Sequence, residues 1–393
     1  MRNFARNSKF GINIDFDRSH GSYIHDRNTK RKYLDFFGMY ASLPLGYNHK
    51  IFQSDAFREE ILRTAAQKVN NCEFVSEETL EFDRLFSEYA GRNLFKFFHY
   101  CCTGSLAIEA AIKTCMFYKR HITPKILSFH NSFHGINSYG GFVTSRFSPA
   151  NKKLGNLPEP FSIKVDMNIA SIRDQLKSGD ITCILVEPIQ CSSGDIHHES
   201  SFFHDLQNLA AEYDVPVVYD EIQIGFGSTG RLWYFEHLRT SPDIVVYGKK
   251  AQLSGIMAKE KFFETFSREN CTKLEVTWDA DILDMIRCKY IIRAYKQYNI
   301  LENVKKQEKR LVSGLKSMPA LKNIRYSGLI VGFDLQSVGK RDTLIKKLYK
   351  NGLICNQTGQ KSIRVRPNLN LKDAETDIAL DIIESSLRET QNC

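Results

Sequence analysis

The sequence predicts an open, doubly wound α/β core continued by a smaller α+β domain, and two observations carry that prediction. Short apolar, β-prone runs alternate with amphipathic stretches of helical period between about residues 96 and 247. From about Asp284 onward the pattern changes to long Lys- and Glu-rich helices with few strands between them. A length of 393 residues allows two or three units at roughly 150 residues each. No repeat or Pro/Gly-rich linker separates them, so the second unit is continuous with the first.

The opening reads as a hairpin. Ser22–His25 and Lys32–Leu34 are β-prone runs flanking Asp26-Arg27-Asn28-Thr29, whose short polar side chains favour a turn. Predicted strands follow at Lys96–Tyr100, Lys125–Phe129, Thr182–Val186, Val215–Tyr219 and Asp243–Tyr247. Continuous apolar runs of this length suit strands covered on both faces, as in a parallel sheet. Between them Ser105–Tyr118 and Ser201–Tyr213 carry apolar residues at three- and four-residue spacing and read as helices. The last third contains a strand at Leu329–Phe333, a helix at Arg341–Asn351 and a closing strand plus helix.

Composition excludes several classes. The net charge of +9 comes from scattered Lys and Arg without a basic run or groove-reading motif, which argues against nucleic acid as partner. No stretch approaches the roughly 18 apolar residues of a membrane span. Ten cysteines form no C-x-x-C pair and no Cys/His ligand spacing, so no metal site is expected and reduced thiols in a cytoplasm are. The start Met1-Arg2-Asn3-Phe4-Ala5-Arg6-Asn7 is basic but lacks the apolar region of a secretory signal.

In open α/β sheets ligands gather at the carboxyl ends of the strands. One predicted strand runs into Glu187-Pro188, one into Asp220-Glu221-Ile222-Gln223, one into Gly248-Lys249-Lys250 and one into Asn131-Ser132-Phe133-His134-Gly135. An acid, a lysine and an aromatic at neighbouring strand ends are what pyridoxal phosphate needs. The amine condenses with the cofactor aldehyde, a carboxylate keeps the pyridine nitrogen protonated, and an aromatic face stacks on the ring. Cys102-Thr103-Gly104-Ser105, between a strand and a helix, offers free helix-terminal amides to the phosphate.

With these motifs goes a wider set: Gly21-Ser22-Tyr23, Leu45-Gly46-Tyr47-Asn48-His49, Thr103-Gly104-Ser105-Leu106-Ala107 with Glu109-Ala110-Ala111, Ser132-Phe133-His134-Gly135, Val186-Glu187-Pro188, Asp220-Glu221-Ile222-Gln223, Gly248-Lys249-Lys250, Thr277-Trp278 and Ile363-Arg364-Val365-Arg366-Pro367. The chain resembles the fold-type-I, class III aminotransferases, most closely the L-lysine 6-aminotransferases. The resemblance implies a large domain with a mostly parallel seven-stranded sheet plus a smaller α+β domain. Residues 1–45 would serve the small domain and the active site, 46–285 would form the large cofactor-binding domain and 286–393 the C-terminal small domain. It implies Lys249 as the Schiff-base lysine, Asp220 as the pyridinium partner, Gln223 beside the ring oxygen and Phe133 as the stacking aromatic. His134 orients its loop, Glu187 lies near the cofactor, and Gly104 and Ser105 hold the phosphate. Thr277 reaches the phosphate from the other subunit, hence a homodimer with shared sites. Arg364 grips the carboxylate of the amino acceptor, usually 2-oxoglutarate, and Tyr40, Ile136 and Ser192 complete the substrate shell.

Three departures stand in that shell. Ile136 occupies a position where lysine 6-aminotransferases typically carry an arginine for the substrate α-carboxylate. Cys191-Ser192-Ser193-Gly194 lacks the glutamate that pairs with the acceptor arginine. Asp279-Ala280-Asp281 replaces a Gly-Gly-Asn. The expected reaction is transfer of a terminal amine, from L-lysine or a related diamino compound, to 2-oxoglutarate, giving 2-aminoadipate 6-semialdehyde and glutamate in the lysine case. The alternatives are the same chemistry on an ω-amine without an α-carboxylate or on a biosynthetic intermediate, and a cofactor-binding regulator without turnover.

Overall fold

The computed structural model describes residues 9–145 and 161–391; the basic start Met1–Asn7 and Cys393 lie outside them. The predicted hairpin forms, with Tyr23–His25 antiparallel to Lys32–Asp35. Its turn is held by Asp26, whose carboxylate accepts from the backbone N–H of Asn28 and of Thr29, both at 3.2 Å. The second hairpin strand then pairs in parallel with Leu353–Ile354, which seats the N-terminal segment beside C-terminal elements.

Seven strands form the main sheet in the order Phe97–Cys101, Ser254–Ala258, Ile244–Tyr247, Val217–Asp220, Ile181–Val186, Lys125–Phe129, Ser162–Val165. Only Ser254–Ala258 runs against its neighbours. The five strands expected from apolar runs are present; Lys125–Phe129 has the expected bounds, Phe97–Cys101 lies one residue later than expected and Ile181–Val186 starts one residue earlier. Val217–Asp220 starts after Pro216, which has no N–H to give, and extends to the acid itself; Ile244–Tyr247 starts one residue later than expected.

Two strands were not legible. Ser254–Ala258 carries Gly255 in its middle, where an added Cβ would stand 2.3 Å from the His99 carbonyl oxygen, so the position needs a residue of low strand propensity. Ser162–Val165 is a short edge strand of mixed polarity.

The helix Gly104–Lys119 packs on this sheet through Ala107, Ile108, Ala111, Ile112 and Cys115, all buried. Thr103 caps it, its hydroxyl accepting from the Leu106 N–H at 3.4 Å, so the helix begins at the carboxyl end of Phe97–Cys101. The last third forms a four-stranded antiparallel sheet in the order Lys322–Ser327, Ile330–Asp334, Ser362–Val365, Asn356–Thr358, with Val338–Lys350 and Asp373–Gln391 packed against each other. Among the described residues no helix is long and apolar enough to cross a membrane.

Candidate active site

The carboxyl ends of the central strands enclose a cavity of about 320 Å³. It is lined by Thr103, Gly104, Ser105, Phe133, His134, Gly135, Glu187, Ile189, Asp220, Ile222, Gln223, Ile224, Lys249 and Ser254. Eight of the residues expected to hold a cofactor therefore meet in one place: Gly104, Ser105, Phe133, His134, Glu187, Asp220, Gln223 and Lys249.

Asp220 ends the strand Val217–Asp220 and is buried. Its Oδ1 accepts from the Ile222 N–H at 3.1 Å, and its Oδ2 lies 2.9 Å from His134 Nδ1. A carboxylate only accepts, so His134 carries its proton on Nδ1 in the neutral form. The other nitrogen, Nε2, is buried and has no hydrogen-bond partner among the described residues. His134 is in turn fixed by its backbone, whose N–H donates to Thr144 Oγ1 at 2.9 Å. The backbone N–H of Phe133 donates to Glu187 Oε2 at 2.8 Å. Thus the loop Phe133-His134-Gly135 is tied to two different strand ends. Gly135, with φ +106°, sits where an added Cβ would stand 2.9 Å from Ser105 Oγ, so this loop closes against the helix start.

Lys249 follows the strand Ile244–Tyr247 and Gly248, with a left-handed backbone of φ 47°. A non-glycine residue held there is strained, as is common where a side chain must be aimed into a site. Its amine faces the cavity yet is densely surrounded by protein, and burial with the nearby Arg364 charge lowers its pKa from 10.5 to about 8. Glu187 experiences the opposite push: burial, then the neighbouring Asp220, raise its carboxyl well above the usual range. Lys250, next along the chain, turns elsewhere; it is 2% exposed and its Nζ donates to the carbonyls of Leu43 at 2.8 Å and Pro367 at 3.1 Å.

The residues expected to face the substrate are arranged differently. Arg364, in the strand Ser362–Val365, is buried, and its Nη1 donates to the Cys191 carbonyl at 3.2 Å and to Gln223 Oε1 at 3.4 Å. Gln223 thus bridges Arg364 to the cavity. Ser192 is buried beside Cys191 but does not line the cavity. Ile136 and Tyr40 are 65% and 54% exposed, and Thr277 is exposed too; none of the three lines the cavity.

Sequence reading missed Ile189, Ile222, Ile224 and Ser254 as cavity walls. Ile222 could have been found, since it stands two residues beyond Asp220 at a strand end. Ser254 could not, because it opens the reversed strand.

The enclosure fits pyridoxal phosphate. The volume is in the range of small-ligand sites, and free amides at Gly104 and Ser105 face one end. A buried carboxylate held by a histidine and a lysine of lowered pKa stand at the other strand ends. Residues 4–387 match the family Aminotransferase class-III. The chain is 30% identical over 411 residues to the L-lysine-epsilon aminotransferase of Mycobacterium tuberculosis, covering 96% of this chain and 92% of that protein. It is 27% identical over 430 residues to the 4-aminobutyrate aminotransferase of Schizosaccharomyces pombe, covering 94% and 88%. The solved structure of lysine aminotransferase from M. tuberculosis in the internal aldimine form superposes with a TM-score of 0.91 at 27% identity, over 99% of this chain and 97% of that one. The chain belongs to the class III aminotransferases and is a pyridoxal-phosphate-dependent enzyme acting on an amine and an oxo acid.

Proposed function

We propose that this class III aminotransferase moves the terminal amine of L-lysine, or of a closely related diamino compound, to 2-oxoglutarate. The observation that carries the reading is the linked set Lys249, Asp220, His134, Gln223 and Arg364 around and beside one cavity. Likeness to lysine-epsilon aminotransferases over nearly the whole chain supports the donor.

When bound, the cofactor supplies an electron sink that makes the carbon bearing the amine acidic. Lys249 is the base within reach. Its lowered pKa leaves a neutral amine at mildly alkaline pH, able to take a proton from that carbon and return one. Asp220, its Oδ2 held by His134, keeps a fixed negative charge at the strand end where the pyridine nitrogen would lie. Phe133 and Ile222 would confine the ring, and the helix starting at Gly104 would meet the phosphate. Arg364 is the cation for the oxo acid. With Ser192 at the position of a competing glutamate, no carboxylate of that segment has to leave before a substrate carboxylate enters.

Exposed Thr277 and Trp278 support a homodimer whose subunits complete each other's sites. Nine free cysteines among the described residues suit a reducing, cytoplasmic location.

A second reading rests on Ile136. An exposed isoleucine in place of a cation gives no grip on an α-carboxylate and favours an ω-amine that lacks one. Glutamate formation from 2-oxoglutarate, measured with L-lysine, L-ornithine, 4-aminobutyrate and linear diamines, separates the two. The highest kcat/KM with lysine is expected; a diamine preferred over lysine replaces the first reading with the second.

A further inference from the structure

The strand that leads into the Thr103-Gly104-Ser105 turn ends His99-Tyr100-Cys101, and strand alternation puts His99 and Cys101 on one face. A distant segment covers that face. The Ala280 N–H donates to the Tyr100 carbonyl at 3.1 Å, which brings in Asp279, only 2% exposed. A ring nitrogen of His99, the Cys101 sulfur and an Asp279 carboxylate oxygen all lie within 4.8 Å of one another.

Three kinds of ligand atom thus converge in a place closed to solvent. Cys101 is 1% exposed, and the His99 side chain 12%. His99 Nε2 lies 3.3 Å from Asp279 Oδ2, close enough for an ion pair, yet its orientation makes no hydrogen bond to any described residue. A histidine and an aspartate meeting only to stabilise each other would align that N–H with the carboxylate. Here the nitrogen, the sulfur and the carboxylate face one another instead.

We propose that His99, Cys101 and Asp279 bind a zinc ion. Zinc accepts nitrogen, sulfur and oxygen together, and tetrahedral bonds of about 2.0 to 2.3 Å put ligand atoms roughly 3.3 to 3.8 Å apart. At 4.8 Å or less, the three ligand atoms stand at most about an ångström wider than that spacing. Cys102 points the other way, its thiol donating to the Trp278 carbonyl at 2.7 Å, so the fourth position would fall to water. Binding would release the Cys101 thiol proton as the metal is taken up.

The ion would join the turn before Gly104 to the segment that carries Thr277, and so brace the two stretches proposed to meet the phosphate. The ligand set was invisible in the sequence because Asp279 stands 178 positions after Cys101 (279 minus 101). The inference stands apart from the choice of amine donor.

The test is metal content of the tag-free holoenzyme by elemental mass spectrometry after dialysis against a weak chelator. About one zinc per chain is expected, falling below a tenth in Cys101→Ser and His99→Gln. The pyridoxal phosphate content and far-UV circular dichroism of these variants check that they are folded. If either variant fails to fold, Asp279→Asn, which keeps the shape and one of the two backbone hydrogen bonds that the carboxylate accepts from Cys102 and Val276, replaces it. Cobalt loading adds a second readout, the visible bands of a tetrahedral thiolate site, at wavelengths beyond the cofactor's absorption. A wild-type enzyme that holds less than a tenth of a zinc even after incubation with zinc, and stays without cobalt bands, contains a His99–Asp279 ion pair only. Zinc retained at full stoichiometry in both cysteine and histidine variants overturns the assignment equally.

Discussion

The floor and the rim of the active site are built by different rules. On the floor, Asp220, His134, Glu187 and Phe133 are joined by hydrogen bonds of 2.8 to 2.9 Å, and each leaves the end of a strand or a loop tied to one. The residues proposed for the rim, Tyr40, Ile136 and Thr277, are exposed and do not line the cavity. The floor resists change because losing the side chain of Asp220, His134 or Glu187 leaves a buried polar group unpaired. The rim can vary at little cost to the fold. Chemistry is therefore fixed where the side chains are mutually held, and substrate choice is free to drift where they are not.

The largest break in that contrast comes from Lys249→Ala, which removes the proposed base. Turnover is expected to fall by about 10⁴-fold or more, at the upper end of what a positioned acid–base group supplies. Lys250→Ala is the companion. It removes two hydrogen bonds from a buried amine to carbonyls of distant segments, so it is expected to lower the melting temperature more than Lys249→Ala does. Glutamate formation and thermal unfolding of both variants check the pair; the opposite assignment of effects would mean that Lys250 is the reactive lysine.

Asp220→Asn keeps the shape and removes the charge that His134 holds in place. A loss of about 10²- to 10³-fold in kcat is expected, with cofactor affinity reduced as well, the scale usual for one preorganised electrostatic group. Arg364→Gln acts one step outward. It should raise KM for 2-oxoglutarate by about 10- to 100-fold, the cost of losing a charge-assisted pair, while leaving the half-reaction with a diamine nearly unchanged.

The floor also sets a pH dependence. Burial and Arg364 disfavour the charged ammonium of Lys249, so its proton is lost near pH 8 in the cofactor-free protein and not near 10.5. Only the neutral amine attacks an aldehyde. Recapture of pyridoxal phosphate by the cofactor-free enzyme should therefore accelerate about tenfold between pH 7 and 9 and level off above. A rate still climbing at pH 10 would mean that the amine is not desolvated.

The contrast explains how far the sequence could be read. Strand ends such as Tyr247-Gly248-Lys249 and Tyr219-Asp220 were legible because a buried parallel strand is a continuous apolar run and its ligand-facing residue comes directly after it. Ser254–Ala258 was not, since it is reversed and interrupted by a glycine that close backbone approach requires. The His134–Asp220 bond was also hidden: 86 positions separate the two (220 minus 134), and a histidine beside an aromatic gives no hint of which acid it will meet. Motif matching gave Arg364 a role, but not the Cys191 carbonyl and Gln223 that hold its guanidinium. These contacts join strand ends to segments far away in the chain, and their geometry comes from the assembled sheets.

Ile136→Arg is the smallest change and the sharpest question put to the rim. The position is 65% exposed, so a guanidinium there would be screened by water, and an exposed ion pair contributes only about 0.2 to 1 kcal/mol. That corresponds to a KM lowered by roughly one and a half- to fivefold, and only for a donor whose far end carries a carboxylate. L-lysine should improve while a linear diamine, whose far end is a second ammonium, should be unchanged or slightly worse. The sign of the difference between the two donors matters more than its size, because a general effect on folding or cofactor binding would move both together. If both donors respond alike, Ile136 lies off the substrate's path, and the discrimination at the rim has to be sought at Tyr40 or across the proposed subunit interface near Thr277.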